Sequence, residues 1–429
     1  MIKKLTGSSH SIYRFCVASL AGMILYAGIG LTASGYLSRL YPPDTVIFAS
    51  THFNDARQYA YICISGYNLT TAYVAPTLGS SRLSWMPLYA VLQCGLKNSF
   101  GVSLIYAGFV VSCLAAAGTL LFVMLTLRNL KVGAPIRLAF LTFAPPISAI
   151  YLFLAGAEML FLCLSALLMF LLTTSTSSTR QEAVRLGLGW LFGLLLMLSK
   201  PNALTFLLPL AFAFVYLSWK RSQAAGYTRP LNAFVPDLLY RQVSLWRNQA
   251  NPLPIEMDWF PAFVVAGIIL GFTGWEWYSS WFSGIPHFFT QQQLDYWVRP
   301  WRSGDLGTMT LYFAQAFRGV SLDKPYRIET LWYLGVVIGT FIPALSARVP
   351  PLIRGMILPL PLFLLMTGAV YQYDRYVASL ILTSLGWIYW AKDKRWRWAL
   401  LLVLALLTSL LYPYLFQANI FGNTAVIDR

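Results

Sequence analysis

Residues 185–219 read RLGLGWLFGLLLMLSKPNALTFLLPLAFAFVYLSW. Two apolar runs, 185–199 and 202–219, are parted by one cation and one proline, Lys200 and Pro201. Leucine, phenylalanine and alanine follow one another without the alternation of a half-buried strand, so both runs read as helices. A membrane span takes about 20 mostly apolar residues, and in lipid only a helix or a closed barrel satisfies its own backbone. The stretch is a helical hairpin within a bilayer, and Pro201 fixes its turn.

The same reading extends along the chain. Of its 429 residues, 58% are hydrophobic and only 11% charged, with a mean hydropathy of +0.61. A soluble domain carries about 25% charged residues. The fold class expected is an all-α polytopic membrane protein, one integral membrane domain over 1–429. About eleven spans are expected, at 15–37, 101–127, 135–151, 157–174, 185–199, 202–219, 259–280, 330–347, 351–370, 376–391 and 398–416. The start MIKK precedes the first apolar run, which is long enough to span and is taken as an uncleaved helix. No GxxxxGK[ST] motif and no strand-linked GxGxxG occurs, which argues against an ATPase or a nucleotide-sugar Rossmann domain.

Charge gives the topology. With the N-terminus in the cytoplasm and the spans alternating, nineteen of the 31 Lys and Arg residues fall on the cytoplasmic side and twelve outside. That follows the positive-inside rule. The net charge of +16 is spread over many short loops, so it points to anionic membrane lipids and not to nucleic acid. The basic segment 220–258 reads as a cytoplasmic loop with an interfacial helix at 236–248. The loop TTSTSSTRQEA (173–183) reads as polar and flexible. The outer loops are 38–100 and 281–329. Their cations, on the disfavoured side, suggest a phosphate ligand.

The first outer loop holds THFNDARQYAYICISGYNLTTAYVAPTLGSSRLSWMPLY (51–89). Asn54 or Asp55 can cap a short helix over 56–65, with Gly66 just past its end. Tyr59 and Ile62 share one face of that helix, and Tyr61 and Ile64 another. A carboxylate at the membrane boundary, with Arg57 two residues on, suits a general base for a hydroxyl nucleophile, and Asp55 is the first catalytic candidate. Glu158 borders an apolar run, where a carboxylate is either paired with a cation or functional. Lys200 either snorkels or holds a phosphate. Arg375, among Tyr371, Gln372, Tyr373 and Tyr376, either pairs with Asp374 or faces phosphate. Gln291, Gln292, Gln293, Trp297, Arg299, Trp301 and Arg302 suit carbohydrate, although Trp is also enriched at membrane interfaces. His10, His52 and His287 lack metal-ligand spacing, so no metal is expected. The five cysteines show no paired spacing, and no disulfide is expected.

These residues carry a resemblance. NDARQYAYICISGY followed by SWMPLY resembles the first-loop pattern of the PIG-V-like mannosyltransferases, the family of GPI mannosyltransferase 2. APPISAIYLFLAGAEMLFLCLSALLMFLL, LSKPNALTFLLP, FFTQQQLDYWVRPW and YDRYVASL are similar to four later family stretches, in the same order, over about residues 50 to 390. Asn54 stands where the family has Trp. Ala157-Glu158-Met159 replaces Thr-Glu-Ser, and Lys200-Pro201-Asn202-Ala203 replaces Arg-Pro-Thr-Gly.

The resemblance implies a GT-C fold with its active site away from the cytoplasm, in a bacterial inner membrane. It implies a polyprenyl-phosphate sugar donor, typically mannose, no other cofactor, and a lipid-linked or cell-envelope glycan acceptor. It makes Asp55 the base. Arg375, Lys200 and Arg57 would bind the donor phosphate, and Glu158, Gln293, Trp297, Arg299 and Tyr59 would face sugar or acceptor. A transporter or flippase of lipid-linked sugars is the alternative, although the inverted repeats common in transporters are not detected. A non-catalytic subunit is a third reading.

Overall fold

The computed structural model describes residues 54–67, 83, 85–132, 156–174, 178–246, 254–297 and 339–359, with short stretches between 386 and 403. Among the described residues the regular structure is helical, with no strand. The helices are α1 (Asn54–Ser65), α2 (Pro87–Phe100), α3 (Leu104–Asn129), α4 (Ala157–Thr173), α5 (Thr179–Ser199), α6 (Leu207–Ala224), α7 (Leu231–Trp246), α8 (Phe260–Ser283), α9 (Phe288–Trp297) and α10 (Pro351–Ile357). A 3-10 helix, Pro201–Phe206, leads into α6.

Local chemistry sets many of the ends. Ser103 and Ser178 accept the backbone N–H groups of Tyr106 and Gln181 and so cap α3 and α5. Pro87 and Pro261 sit in first turns, where a missing N–H does no harm. Helix α1 stops at Gly66, whose φ of +67° glycine adopts without strain while its N–H bonds Ile62 O. Lys200 is extended at φ −161°, and Pro201 starts the next turn, so the long apolar run breaks where the sequence indicates.

Four described segments are long and apolar enough to cross a membrane: Tyr106–Asn129, Thr179–Ser199, Pro201–Ala224 and Phe260–Ser283. Ala157–Thr173 is a shorter apolar helix. They coincide with the expected spans 101–127, 185–199, 202–219, 259–280 and 157–174. The chain is thus an all-α protein built for a membrane. The expected spans 15–37 and 135–151 lie outside the described residues, and those from 330 onward are described only in part.

Three boundaries differ from expectation. Helix α5 begins at Thr179, because Ser178 caps it inside a stretch that reads as a flexible loop. Helix α7 begins at Leu231 and carries Pro236 within it, upstream of the expected 236–248. Helix α1 begins at Asn54, so Asp55 lies in its first turn and not ahead of it as a cap. A carboxylate in a first turn still meets the positive end of the helix dipole.

The tightest helix contact joins α5 to α8. A Cβ added at Gly193 would lie 2.1 Å from the carbonyl oxygen of Val264, and one at Gly267 would lie 2.1 Å from that of Trp190. Gly189 and Gly271 repeat the close approach one turn away, against the Phe260 ring and Met197. Each helix therefore offers a Gly-x-x-x-Gly face, and the two backbones touch with no side chain between them. Contacts advance together along both helices, so α5 and α8 run parallel.

Helices α3 and α4 also run parallel, with Asn129 reaching Thr173 and Thr174 at their common end. Helix α4 is antiparallel to α5, as Arg185 bonding Leu171 O at one end and Lys200 meeting Glu158 at the other require. The core between them holds Phe161, Phe206, Leu210, Met197 and Ile268, all fully buried.

The end opposite Lys200 is closed by charges. Arg185 pairs with Asp258 at 3.2 Å, and Arg221 pairs with Glu182 at 2.9 Å and with Asp258 at 3.2 Å. Asp258 also accepts the N–H of Phe260, the first residue of α8. The positive-inside assignment puts Arg185 and Arg221 on one side and Lys200 on the other. They indeed stand at opposite ends of the bundle.

The glycine contact is open to a direct check. Gly193→Ala should lower the melting temperature of the detergent-purified protein by several degrees, since overpacking costs about 1–3 kcal/mol. Gly187→Ala, where the new carbon meets open space, should leave it unchanged or raise it. Equal melting temperatures for the two variants would contradict the close approach.

Candidate functional site

The residues singled out by sequence belong to separate stretches, and helix packing brings several of them to the Lys200 end. Asp55, Tyr59 and Ile62 fall at i, i+4 and i+7 of α1 and share one face. Tyr59 and Ile62 are buried with Trp85, Tyr89, Ala90, Val111 and Ala157. The Tyr59 and Tyr89 rings lie 4.9 Å apart. Asp55 and Arg57 both belong to the first turn of α1.

Glu158 follows Ala157 at the start of α4. Its Oε1 lies 3.0 Å from Lys200 Nζ, and the two side chains are 3% and 10% exposed. Of the two readings of Glu158, pairing with a cation on another element is observed. The carboxylate folds back over Gly156, where an added Cβ would lie 2.4 Å from Oε2. Lys200 reaches it because the backbone breaks at that residue: a helical continuation of α5 would aim the side chain elsewhere.

Tyr89 lies next to this pair. Its hydroxyl donates to Gly108 O at 3.0 Å. Burial raises its pKa above the ordinary phenol value, and the Glu158 carboxylate acts in the same direction. Tyr89 therefore stays protonated as a hydrogen-bond donor.

The first loop is also tied to α8. Trp275 Nε1 donates to Leu83 O at 3.1 Å, and the Tyr67 hydroxyl donates to Trp85 O at 3.2 Å. The Tyr67 ring meets Trp275 edge-on at 5.1 Å. The next residue, Glu276, accepts the backbone N–H of Thr290 at 2.9 Å and also its hydroxyl. That carboxylate fastens the first turn of α9, the helix on which Gln293 and Trp297 share a face. Gln291 is engaged locally, donating to Pro286 O at 3.1 Å. Arg299 and Arg375 lie outside the described residues.

The cysteines correct another expectation. Cys63 of α1 and Cys94 of α2 form a disulfide, with Cα atoms 5.4 Å apart. They are 31 residues apart on different helices, so no spacing pattern betrays them. The pairing comes from the packing of Tyr59 on Tyr89. The bond locks the Asp55 helix to α2.

Other features were missed although the sequence carries a signal for them. Glu276 is a lone carboxylate in an apolar run, open to the argument made for Glu158. The Gly-x-x-x-Gly spacing in α5 and α8 is a known mark of close helix contact. Asp258 gives no such signal, because its Arg partners are distant in sequence.

The site is thus a rim formed by the first turn of α1, backed by aromatic side chains and a buried carboxylate–ammonium pair, with α9 fastened close by. No family model, characterised protein or solved structure matches the chain.

Removing one partner of a buried pair leaves the other charged and uncompensated, which costs about 3–5 kcal/mol. Lys200→Met should accordingly lower thermal stability sharply, and Glu158→Leu added to Lys200→Met should recover most of it. A double variant no more stable than Lys200→Met would contradict the pairing. The disulfide makes its own prediction. Cys63 and Cys94 should take up a thiol-reactive maleimide only after reduction, read by mass spectrometry of the peptides; uptake without reductant would rule the bond out.

Proposed function

We propose that the protein is an inverting glycosyltransferase of the GT-C type, with about eleven spans. It transfers a sugar, mannose in the leading reading, from a polyprenyl-phosphate donor to a lipid-linked or cell-envelope glycan. One observation carries the reading. Tyr59, Glu158 and Lys200, from separate family-like stretches, lie at one end of the bundle, Tyr59 in one cluster with Ala157 and Glu158 paired with Lys200.

In this mechanism Asp55 takes the proton of the acceptor hydroxyl. The freed oxygen attacks the anomeric carbon from the face opposite the donor phosphate. The bond from that carbon to the phosphate oxygen breaks, its electrons leave with the polyprenyl phosphate, and the anomeric configuration inverts. Fixed cations favour the departing charge because they need no reorganisation at the moment of reaction. Arg375, Lys200 and Arg57 serve in that role. The Lys200 charge is balanced by Glu158 before the donor arrives, which keeps the cation tolerable in a buried place. Tyr59 backs the acceptor, and Gln293, Trp297 and Arg299 face the sugars.

The site end faces away from the cytoplasm in this reading, across a bacterial plasma membrane, with the N-terminus inside. The Cys63–Cys94 disulfide supports that orientation, since such bonds persist in oxidising compartments.

The test is a transfer assay in liposomes, with radiolabelled polyprenyl-phosphate sugars and a lipid extract of the host. Wild type should yield a labelled product, and Asp55→Asn should lose at least about a hundredfold in rate, the low end of what general-base catalysis contributes, while its melting temperature stays unchanged. Full turnover by Asp55→Asn would overturn the base assignment. Movement of the donor across the bilayer without transfer would favour a transporter.

A further inference from the structure

Helix α7 stands apart from the site end, on the side where α6 finishes. Phe234, fully buried, and Leu238 pack with Tyr227 and Ile255 against Phe214, Val215 and Trp219 of α6. Those α6 residues belong to the membrane-crossing segment Pro201–Ala224. At a rise of about 1.5 Å per residue, they lie roughly 7 to 15 Å from its end. Helix α7 is therefore seated alongside the last turns of a span, at the depth where hydrocarbon gives way to headgroups.

Its other face is apolar as well. Val235, Leu239 and Tyr240 are 41%, 62% and 59% exposed. A helix apolar on two sides, with one side packed on a span, turns the second toward lipid.

The charges around it are mostly positive, the acids being Asp237 on the helix and the exposed Glu256 between Ile255 and Met257. Residues 219–249 hold Lys220, Arg221, Arg229, Arg241 and Arg247 against a single acid, Asp237. Arg221 is spent on Glu182 and Asp258. Arg229 pairs with Asp237 yet remains 60% exposed, and Lys220, over the Trp219 ring at 4.8 Å, is also exposed. Trp259, half exposed, extends the aromatic margin at the start of α8.

We infer that α7 is a docking surface for anionic phospholipid. Val235, Leu239 and Tyr240 enter the acyl margin, while Lys220, Arg229 and Arg241 meet headgroup phosphates carrying a net negative charge. Apolar area and cationic flank act together in such helices, and the second supplies the preference for anionic lipid. The inference does not depend on the glycosyltransferase reading, because neither α7 nor its cations belong to the site end.

The full-length protein in neutral detergent would be titrated with short-chain phosphatidylglycerol or phosphatidylcholine and followed by thermal unfolding. Phosphatidylglycerol should stabilise at a mole fraction at least ten times lower than phosphatidylcholine. Lys220→Gln with Arg241→Gln should erase that difference, and Leu239→Ser with Tyr240→Ser should weaken the response to both lipids. Arg180→Gln, an exposed cation off α7, should keep the wild-type response and controls for a general charge effect. Equal response to the two lipids, or an unaltered preference in the Lys220/Arg241 variant, would overturn the inference. So would a concentration-dependent dimer by light scattering that Leu239→Ser with Tyr240→Ser dissolves, since the face would then belong to a second copy.

Discussion

Two helix backbones in direct contact set the frame. Gly193 on α5 abuts the backbone of Val264, and Gly267 on α8 abuts that of Trp190, with no room for a methyl group at either point. Lipid offers little hydrophobic drive for helix association, so close packing of small residues supplies much of it. Because α5 and α8 run parallel, the contact fixes both ends together. At one end Phe260 and Asp258 come under Arg185; at the other Trp275 comes under Leu83. Helix α1 and the residues just ahead of α2 are therefore held from two directions, by α8 through Trp275 and by α4 through Ala157.

The two ends solve the problem of buried charge differently. Arg185, Asp258, Arg221 and Glu182 form a closed network of equal opposite charges whose hydrogen bonds also fasten neighbouring backbone. Such a cluster acts as a clamp. Glu158 and Lys200 pair where the helix breaks, close to the aromatic cluster of α1 and α2. In the proposed reaction that end receives a phosphate, and a neutral pair beneath it lets a cation wait in a low-dielectric place without destabilising the fold.

Much of the frame was legible in the sequence because it follows from composition and punctuation. The four described spans and the shorter apolar helix α4 come from apolar run length, and the break at Lys200 comes from the proline after it. The α1 stop at Gly66 comes from glycine's access to positive φ. The opposite placement of Arg185 and Lys200 follows from counting alternations. What was not legible depends on who meets whom. Cys63 and Cys94 give no spacing signal, since their bond is a product of α1 lying on α2. Lys200 and Glu158 were each recognised as unusual, but their pairing needed the antiparallel packing of α4 on α5. Glu276 and the glycine faces carried signals that could have been read.

The central claim is that the end holding Asp55, Tyr89, Glu158 and Lys200 receives a lipid-linked phosphate. A photoreactive polyprenyl phosphate bearing a diazirine near the phosphate tests it most directly, by cross-linking to the protein in liposomes and mapping the modified peptides. The account predicts adducts on residues of α1, the start of α2, the start of α4 and the Lys200–Phe206 turn, suppressed by unlabelled polyprenyl phosphate. Competed adducts confined to the Arg185–Asp258 end, or no competed adduct at all, would contradict it.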